Sequence, residues 1–172
     1  MHWQIDMAHS HIGFSIRHMK ISRVHGRFRE GSGSVDFDRS ALKGTKLRVE
    51  IATSSLDTGI EQRDKHLRSK DLFNTEAHPT MTFASQTVEG TFDDLKVVGQ
   101  LTLLGVTQEV ALKGSLSGPI TDPWGGERMG VTLAGRLNRE DFGFSWNQVL
   151  GSGELMLDSK VDLTIDAQVV RK

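Results

Sequence analysis

Apolar residues recur at every second position over long stretches of this chain. Ile12, Phe14, Ile16 and His18 share one parity, with Gly13, Ser15 and Arg17 on the other. Leu47, Val49 and Ile51 alternate with Lys46, Arg48 and Glu50. Leu95, Val97, Gly99, Leu101 and Leu103 share a parity, as do Val110, Leu112, Gly114 and Leu116, and Met129, Val131, Leu133, Gly135 and Leu137. Near the C-terminus Val161, Leu163, Ile165, Ala167 and Val169 alternate with polar residues. A strand points successive side chains to opposite faces, so each run predicts a strand with one apolar and one wet face. That pattern belongs to antiparallel sheets and not to a parallel sheet covered on both sides. Shorter strands are expected over 24–30, 34–37 and 81–88, with turns at Glu89-Gly90 and Gly105-Val106-Thr107. At least eight such strands must stack as two sheets or close on themselves. Glycines inside the strand patterns (Gly13, Gly26, Gly99, Gly114, Gly130 and Gly135) suit tightly coiled strands and favour closure.

Two segments break the period. Thr58-Gly59-Ile60-Glu61 has the form of a capping box and predicts a short helix over about 59–69. Asn138, Asp141 and Gly143 predict a second helical turn at about 139–142, with Asn138 as its N-cap and Gly143 as its stop. The Pro- and Gly-rich stretch 118–126 reads as a long hairpin connection. Nothing else resembles a linker, so a single domain over residues 1–172 is expected.

Composition narrows the function classes. There is no cysteine among the 172 residues, which removes disulfides, thiolate metal sites and cysteine nucleophiles. Twenty-one Lys+Arg against 22 Asp+Glu leave a formal net charge of −1, so no global field draws the chain to nucleic acid or anionic lipid. No apolar run is long enough to span a bilayer, and no stable membrane insertion is expected. The opening residues Met1-His2-Trp3-Gln4-Ile5-Asp6 carry no secretory signal; the expected address is the cytoplasm, or the periplasm had a leader been removed.

Candidate chemistry concentrates on the helix. Ile60, Arg63, Asp64 and Leu67 fall on one stripe, and its two central positions are charged. They form either an ion pair at the edge of a narrow apolar stripe or a polar patch offered to a ligand head group, a task suited to a guanidinium. Asp64 and His66 raise the alternative of a hydrolase or isomerase, but no nucleophile motif accompanies them. Arg17, Lys20, Arg23, Arg27 and Arg29 around Phe28 raise a nucleic-acid-binding barrel, against which stands an aromatic content of 6% with no tyrosine. His9 and His11 are expected to share one strand face, without an identifiable third metal ligand. His18 faces inward with Phe14 and Ile16, either to meet a ligand or to bond the backbone.

Landmarks spread over the whole chain resemble one family. They are Asp6-Met7-Ala8-His9-Ser10, Phe14-Ser15-Ile16-Arg17-His18-Met19, Gly26-Arg27-Phe28, Arg63-Asp64-Lys65-His66-Leu67-Arg68-Ser69 and His78-Pro79-Thr80-Met81-Thr82-Phe83. Gly99-Gln100-Leu101-Thr102-Leu103, Asp122-Pro123-Trp124-Gly125 and Asn138-Arg139-Glu140-Asp141-Phe142-Gly143 complete the set. Together they are similar to the YceI-like family of lipocalin-like, polyisoprenoid-binding proteins. The resemblance implies an all-β fold, an extended eight-stranded antiparallel barrel with a helix at its side or mouth, frequently a homodimer. It also implies a long apolar pore that holds an isoprenoid chain, quinone-type lipid or fatty amide, with no established catalytic activity. The expected function is non-catalytic binding, transport or storage of such a lipid, with no cofactor, catalytic residue, metal or nucleic-acid partner expected. Combined with the alternation, the expected apolar lining is Phe14, Ile16, Met19, Phe28, Ile51, Leu67, Phe73, Phe83, Leu101, Leu103, Phe142 and Trp146. Met19 has outward parity and joins this set only by turning inward at the strand end. The expected head-group residues are His18, Arg63, Asp64 and Arg139.

Overall fold

The computed structural model describes residues 1–172, and its chain closes on itself. In order, its strands are β1 (His2–His18), β2 (Ser22–Phe28), β3 (Gly31–Asp36), β4 (Lys46–Ala52), β5 (Leu56–Asp57), β6 (Thr80–Gly90), β7 (Leu95–Leu103), β8 (Val106–Thr121), β9 (Glu127–Asn138) and β10 (Leu157–Arg171). All pairings are antiparallel, and β10 returns to pair with β1. β2 and β3 form one interrupted strand, because both run antiparallel to β1, at its end and its start respectively. β4 and β5 likewise share one position, pairing with β3 and β2 in turn. The ten strands therefore make an eight-stranded wall, with closure removing the unpaired edges an open sheet would expose.

β1 changes parity midway. Its register with β10 is broken between Asp6 and His11, so Trp3 and Ile5 face inward before the break and Ile12, Phe14 and Ile16 after it. Asp6 organises the bulge. It accepts from the Ala8 amide, from His9 Nδ1 at 2.8 Å and from Arg128 Nη1 at 2.8 Å. The bulge also separates His9 from His11, whose ring lies against Gly13. The two histidines thus have different partners.

The β7–β8 hairpin turns on Leu104 (φ 53°) and Gly105 (φ 72°), the two left-handed positions of a type I′ turn. The β6–β7 turn lies beyond the expected Glu89-Gly90: β6 runs through Gly90, and residues 91–94 make the connection.

The helix, α1 (Glu61–Arg68), is shorter than expected and lacks the capping box. Gly59, at φ +86°, turns the chain so that Ile60 becomes the N-cap. Thr58 instead donates its hydroxyl and amide hydrogens to the Asp64 carboxylate. The second helical turn forms over Arg139–Phe142; the Asn138 side chain accepts from the Glu140 amide and Gly143 stops it in the left-handed region. β2 pairs with β5 and not with β4, which splits the wall at this level. α1 and the turn after it cover the split, with Leu67 and Phe73 packed on Phe28, Ile51 and Leu56.

Candidate functional site: a one-ended apolar cavity

The inward faces of the strands do not meet. They enclose a cavity of about 480 Å³, within the range of small-molecule sites. Of its 47 lining residues 39 are hydrophobic, and none is a carboxylate. Phe14, Ile16, Phe83 and Leu101 point inward yet are only half-buried, because part of each faces the open lumen. Glycine keeps two of these rings against the wall. A Cβ at Gly26 would lie 2.4 Å from Phe14 Cζ, and one at Gly99 would lie 2.5 Å from Phe83 Cζ. Each ring therefore occupies the space of a missing side chain.

One end is sealed. Trp3, Phe37, Met129 and Val169 are buried together there, and Phe37 packs on Phe92 from the β6–β7 turn at 5.9 Å. The other end is the mouth. It lies among the β1–β2 turn, α1 and the segment before β10, where the lining residues His18, Arg63, His66, Trp146 and Met156 all keep partial exposure.

The ionisable lining residues are His18, Arg63, His66 and Arg139. Arg63 donates from Nε to Thr58 Oγ1 at 2.7 Å and from Nη2 to the Thr58 carbonyl at 2.6 Å. Thr58 Oγ1 in turn donates to Asp64, so a hydroxyl stands between the two charges and no direct ion pair forms. Arg139, 5% exposed, donates to the carbonyls of Asp158 at 3.0 Å, Phe144 at 3.2 Å and Trp146 at 2.9 Å. Burial holds its pKa below the usual arginine value, with Glu140 acting weakly the other way. Neither guanidinium has a carboxylate partner. The lining near the mouth therefore presents two guanidiniums and no carboxylate, an arrangement suited to an anion or an oxygen-rich group.

Phe14, Ile16, Phe28, Ile51, Leu67, Phe73, Phe83, Leu101, Leu103 and Trp146 line the cavity, as do His18, Arg63 and Arg139. Three expected residues do not. Met19 sits at φ +54° in the β1–β2 turn, 37% exposed, with its amide donating to Met156 O. The turn ends the strand, so its side chain has no inward position to take. Phe142 is 1% exposed and belongs to the same apolar cluster as the lining residues Leu103 and Phe144 without itself reaching the lumen, since it sits in the helical turn and not on a strand with period two. Asp64 is 4% exposed and turned to Thr58, away from the lumen. It makes no hydrogen bond to His66, whose Nε2 meets Asp71 at 3.0 Å and whose ring stands edge-on to Trp146. Arg23 and Arg29 of the basic segment are paired with Asp162 and Asp57.

Sequence reasoning left Phe144 out of the expected lining, reading the stripe Phe142, Phe144 and Trp146 as either core or cavity mouth; Phe144 lines the cavity and packs on Phe73 at 5.0 Å. It shares the parity of Trp146, and that was its only signal. It also missed Trp3 and Phe37 at the sealed end, which lie outside the clean alternating runs, and Thr58, the hydroxyl between Arg63 and Asp64.

The same arrangement of strands is found in known proteins. The crystal structure of the Campylobacter jejuni YCEI protein superimposes with a TM-score of 0.77 at 31% identity, covering 91% of this chain and 90% of that one. A polyisoprenoid binding domain from Saccharophagus degradans shares the fold at a TM-score of 0.65 and 16% identity, over 97% of each chain. Protein YceI of Escherichia coli is 38% identical over 164 residues, 95% of this chain and 83% of that protein. The YceI-like domain model matches residues 3–169. With the closed barrel, the sequence identity and a match across nearly its whole length in agreement, the chain belongs to the YceI-like family.

Proposed function

We propose that this barrel binds and carries a single long-chain lipid of the isoprenoid, quinone or fatty-amide type, without transforming it. The observation that carries this reading is the cavity itself: sealed at one end, hydrophobic along its length, and charged only at the mouth. Burying one methylene is worth about 0.8 kcal/mol relative to water, so a chain of modest length binds tightly from solution. A membrane offers the same chain an equally dry environment. Exchange with a membrane is then near balance in the chain, and selectivity falls to the polar residues at the mouth. Arg63, with its guanidinium oriented by Thr58, and His18 supply the head-group contacts. Arg139 spends its Nε and Nη1 hydrogens on backbone carbonyls and contributes charge more than contact. The absence of an Asp64–His66 hydrogen bond and the occupation of Asp64 by Thr58 support binding over acid–base chemistry. A polyisoprenoid binding domain of the same fold is consistent with an isoprenoid guest.

The test is native mass spectrometry of the purified protein followed by organic extraction. One lipid per barrel is expected, with release on denaturation. Arg63→Ala should keep the fold and change which head groups are retained. Protein that purifies empty and takes up no long-chain lipid from vesicles would overturn the reading.

A further inference from the structure

We propose that Phe37 is the floor of the cavity and sets the longest chain the barrel accepts. This rests on the carrier reading above and deepens it by assigning chain-length selection to a named residue. Val35 stands opposite Trp3 on one side and Leu47 on the other, and all three line the cavity. Asp36, opposite His2 and Lys46, is the last paired residue of β3. Phe37 therefore continues the inward parity of Val35 one position beyond the end of the ladder. Its amide still donates to the Met1 carbonyl at 2.9 Å, which fixes where the side chain starts. From there it closes the end of the tube. In one direction around the barrel its apolar cluster runs through Trp3 of β1 and Val169 of β10 to Met129 of β9. In the other direction its ring meets Phe92, from the connection between β6 and β7, at 5.9 Å.

Phe37 lines the cavity and Phe92 does not, so Phe37 is the inner layer of the seal and Phe92 backs it. Phe92 is itself held. Its carbonyl accepts from the Leu116 amide at 2.7 Å, and the Arg39 guanidinium lies over its ring at 5.6 Å. Side chains packed in this way yield little to a guest. The ionisable lining residues, His18, Arg63, His66 and Arg139, are at or near the mouth, so the floor suits a hydrocarbon terminus. A guest with its head at Arg63 and its tail on Phe37 has a fixed span. Up to that span each further methylene raises affinity about 4-fold. Past it, an added methylene stays in water or draws the head from its donors, and the gain stops.

The experiment measures affinity for straight-chain fatty acids of increasing length, and in parallel for polyprenols of increasing length, by displacement of a fluorescent lipid. In the parent, affinity should rise with length and then level off. In Phe37→Ala the levelling should move to chains longer by about two methylenes or more, with about a 15-fold gain for the newly admitted length relative to the parent's limit. Phe37→Leu should move it less and in the same direction; it keeps the position apolar and gives the answer if Phe37→Ala does not fold. The length at which each variant levels off is compared within that variant, so a general loss of affinity or stability does not enter. A levelling point that stays put in Phe37→Leu and in folded Phe37→Ala overturns the assignment and leaves the carrier reading standing. Affinity that rises through both series in the parent without levelling also overturns it. Failure of every member of both series to bind overturns the carrier reading and this inference with it.

Discussion

Gly26→Ala should close part of the lumen with a single methyl group. Gly26 stands directly opposite Phe14 on the neighbouring strand, and a Cβ there would fall 2.4 Å from Phe14 Cζ and 2.8 Å from Cε1. Carbon atoms pack at about 3.5–4.0 Å, so the ring must retreat by about 1 Å or more. Wall lies behind it and Phe28 beside it, with ring centroids 5.6 Å apart, so the open direction is into the cavity. Overpacking of this kind costs about 1–3 kcal/mol, which for a chain of this length lowers Tm by about 2–12 °C. The displaced ring also takes space from the guest. Excluding one or two methylenes, at about 0.8 kcal/mol each, weakens lipid binding about 4- to 15-fold. The assay is fluorescent-lipid displacement beside a thermal melt, for Gly26→Ala, Phe14→Leu and the double variant. The smaller side chain should relieve the clash, so the double variant recovers both stability and affinity relative to Gly26→Ala. If Gly26→Ala binds and melts like the parent, or if Phe14→Leu restores nothing, the idea that glycine holds the lumen open by seating a ring is refuted.

Leu103→Arg places a guanidinium in a cavity that has no lining carboxylate; the variant should purify without lipid, while Leu103→Met retains it, as read by extraction and mass spectrometry. Arg139→Met leaves the carbonyls of Phe144, Trp146 and Asp158 without their donor. It should cost about 3 kcal/mol in urea denaturation, with hydrogen exchange accelerated first in residues 143–158; an unchanged midpoint would contradict the bonding described. Arg128 holds the carboxyls of Asp6 and Asp122 below the ordinary range, helped by His9 for Asp6 and by the Gly126 amide for Asp122. Folded-state values below the unfolded ones mean that this stabilisation is complete above the unfolded pKa of about 3.9 and is lost as pH falls through the lowered values. Urea midpoints of the parent should therefore drop steeply below about pH 4, and Arg128→Met should show a shallower acid limb; parallel curves would refute the assignment.

Period-two alternation was enough to read eight antiparallel strands and the inward identity of Ile16, Ile51, Leu101 and Leu103, because a strand's side-chain geometry is local and repeats. Asn138 and Gly143 likewise announced their helical turn, since a cap is a contact between near neighbours in sequence. The misplacements occur where that local rule stops. Met19 lies in a turn and Phe142 in a helical turn, where parity carries no meaning. Thr58 and Glu61 have the spacing of a capping box, but the Asp64 carboxylate competes for the Thr58 hydroxyl and wins. Which residue follows a left-handed Gly59 is set by how the chain meets the barrel, and sequence spacing does not contain it.

By itself, then, the sequence determined the class of fold, the face each strand turns inward and the apolar character of what is enclosed. Only the tertiary structure decided that the faces stay apart, that one end is sealed by Phe37 and Phe92, and that Arg63 and Arg139 reach the cavity without carboxylate partners. The physical reason is range. Alternation is written in bonds between adjacent residues, whereas the width of a lumen and the partners of a buried donor depend on atoms brought together from opposite ends of the chain.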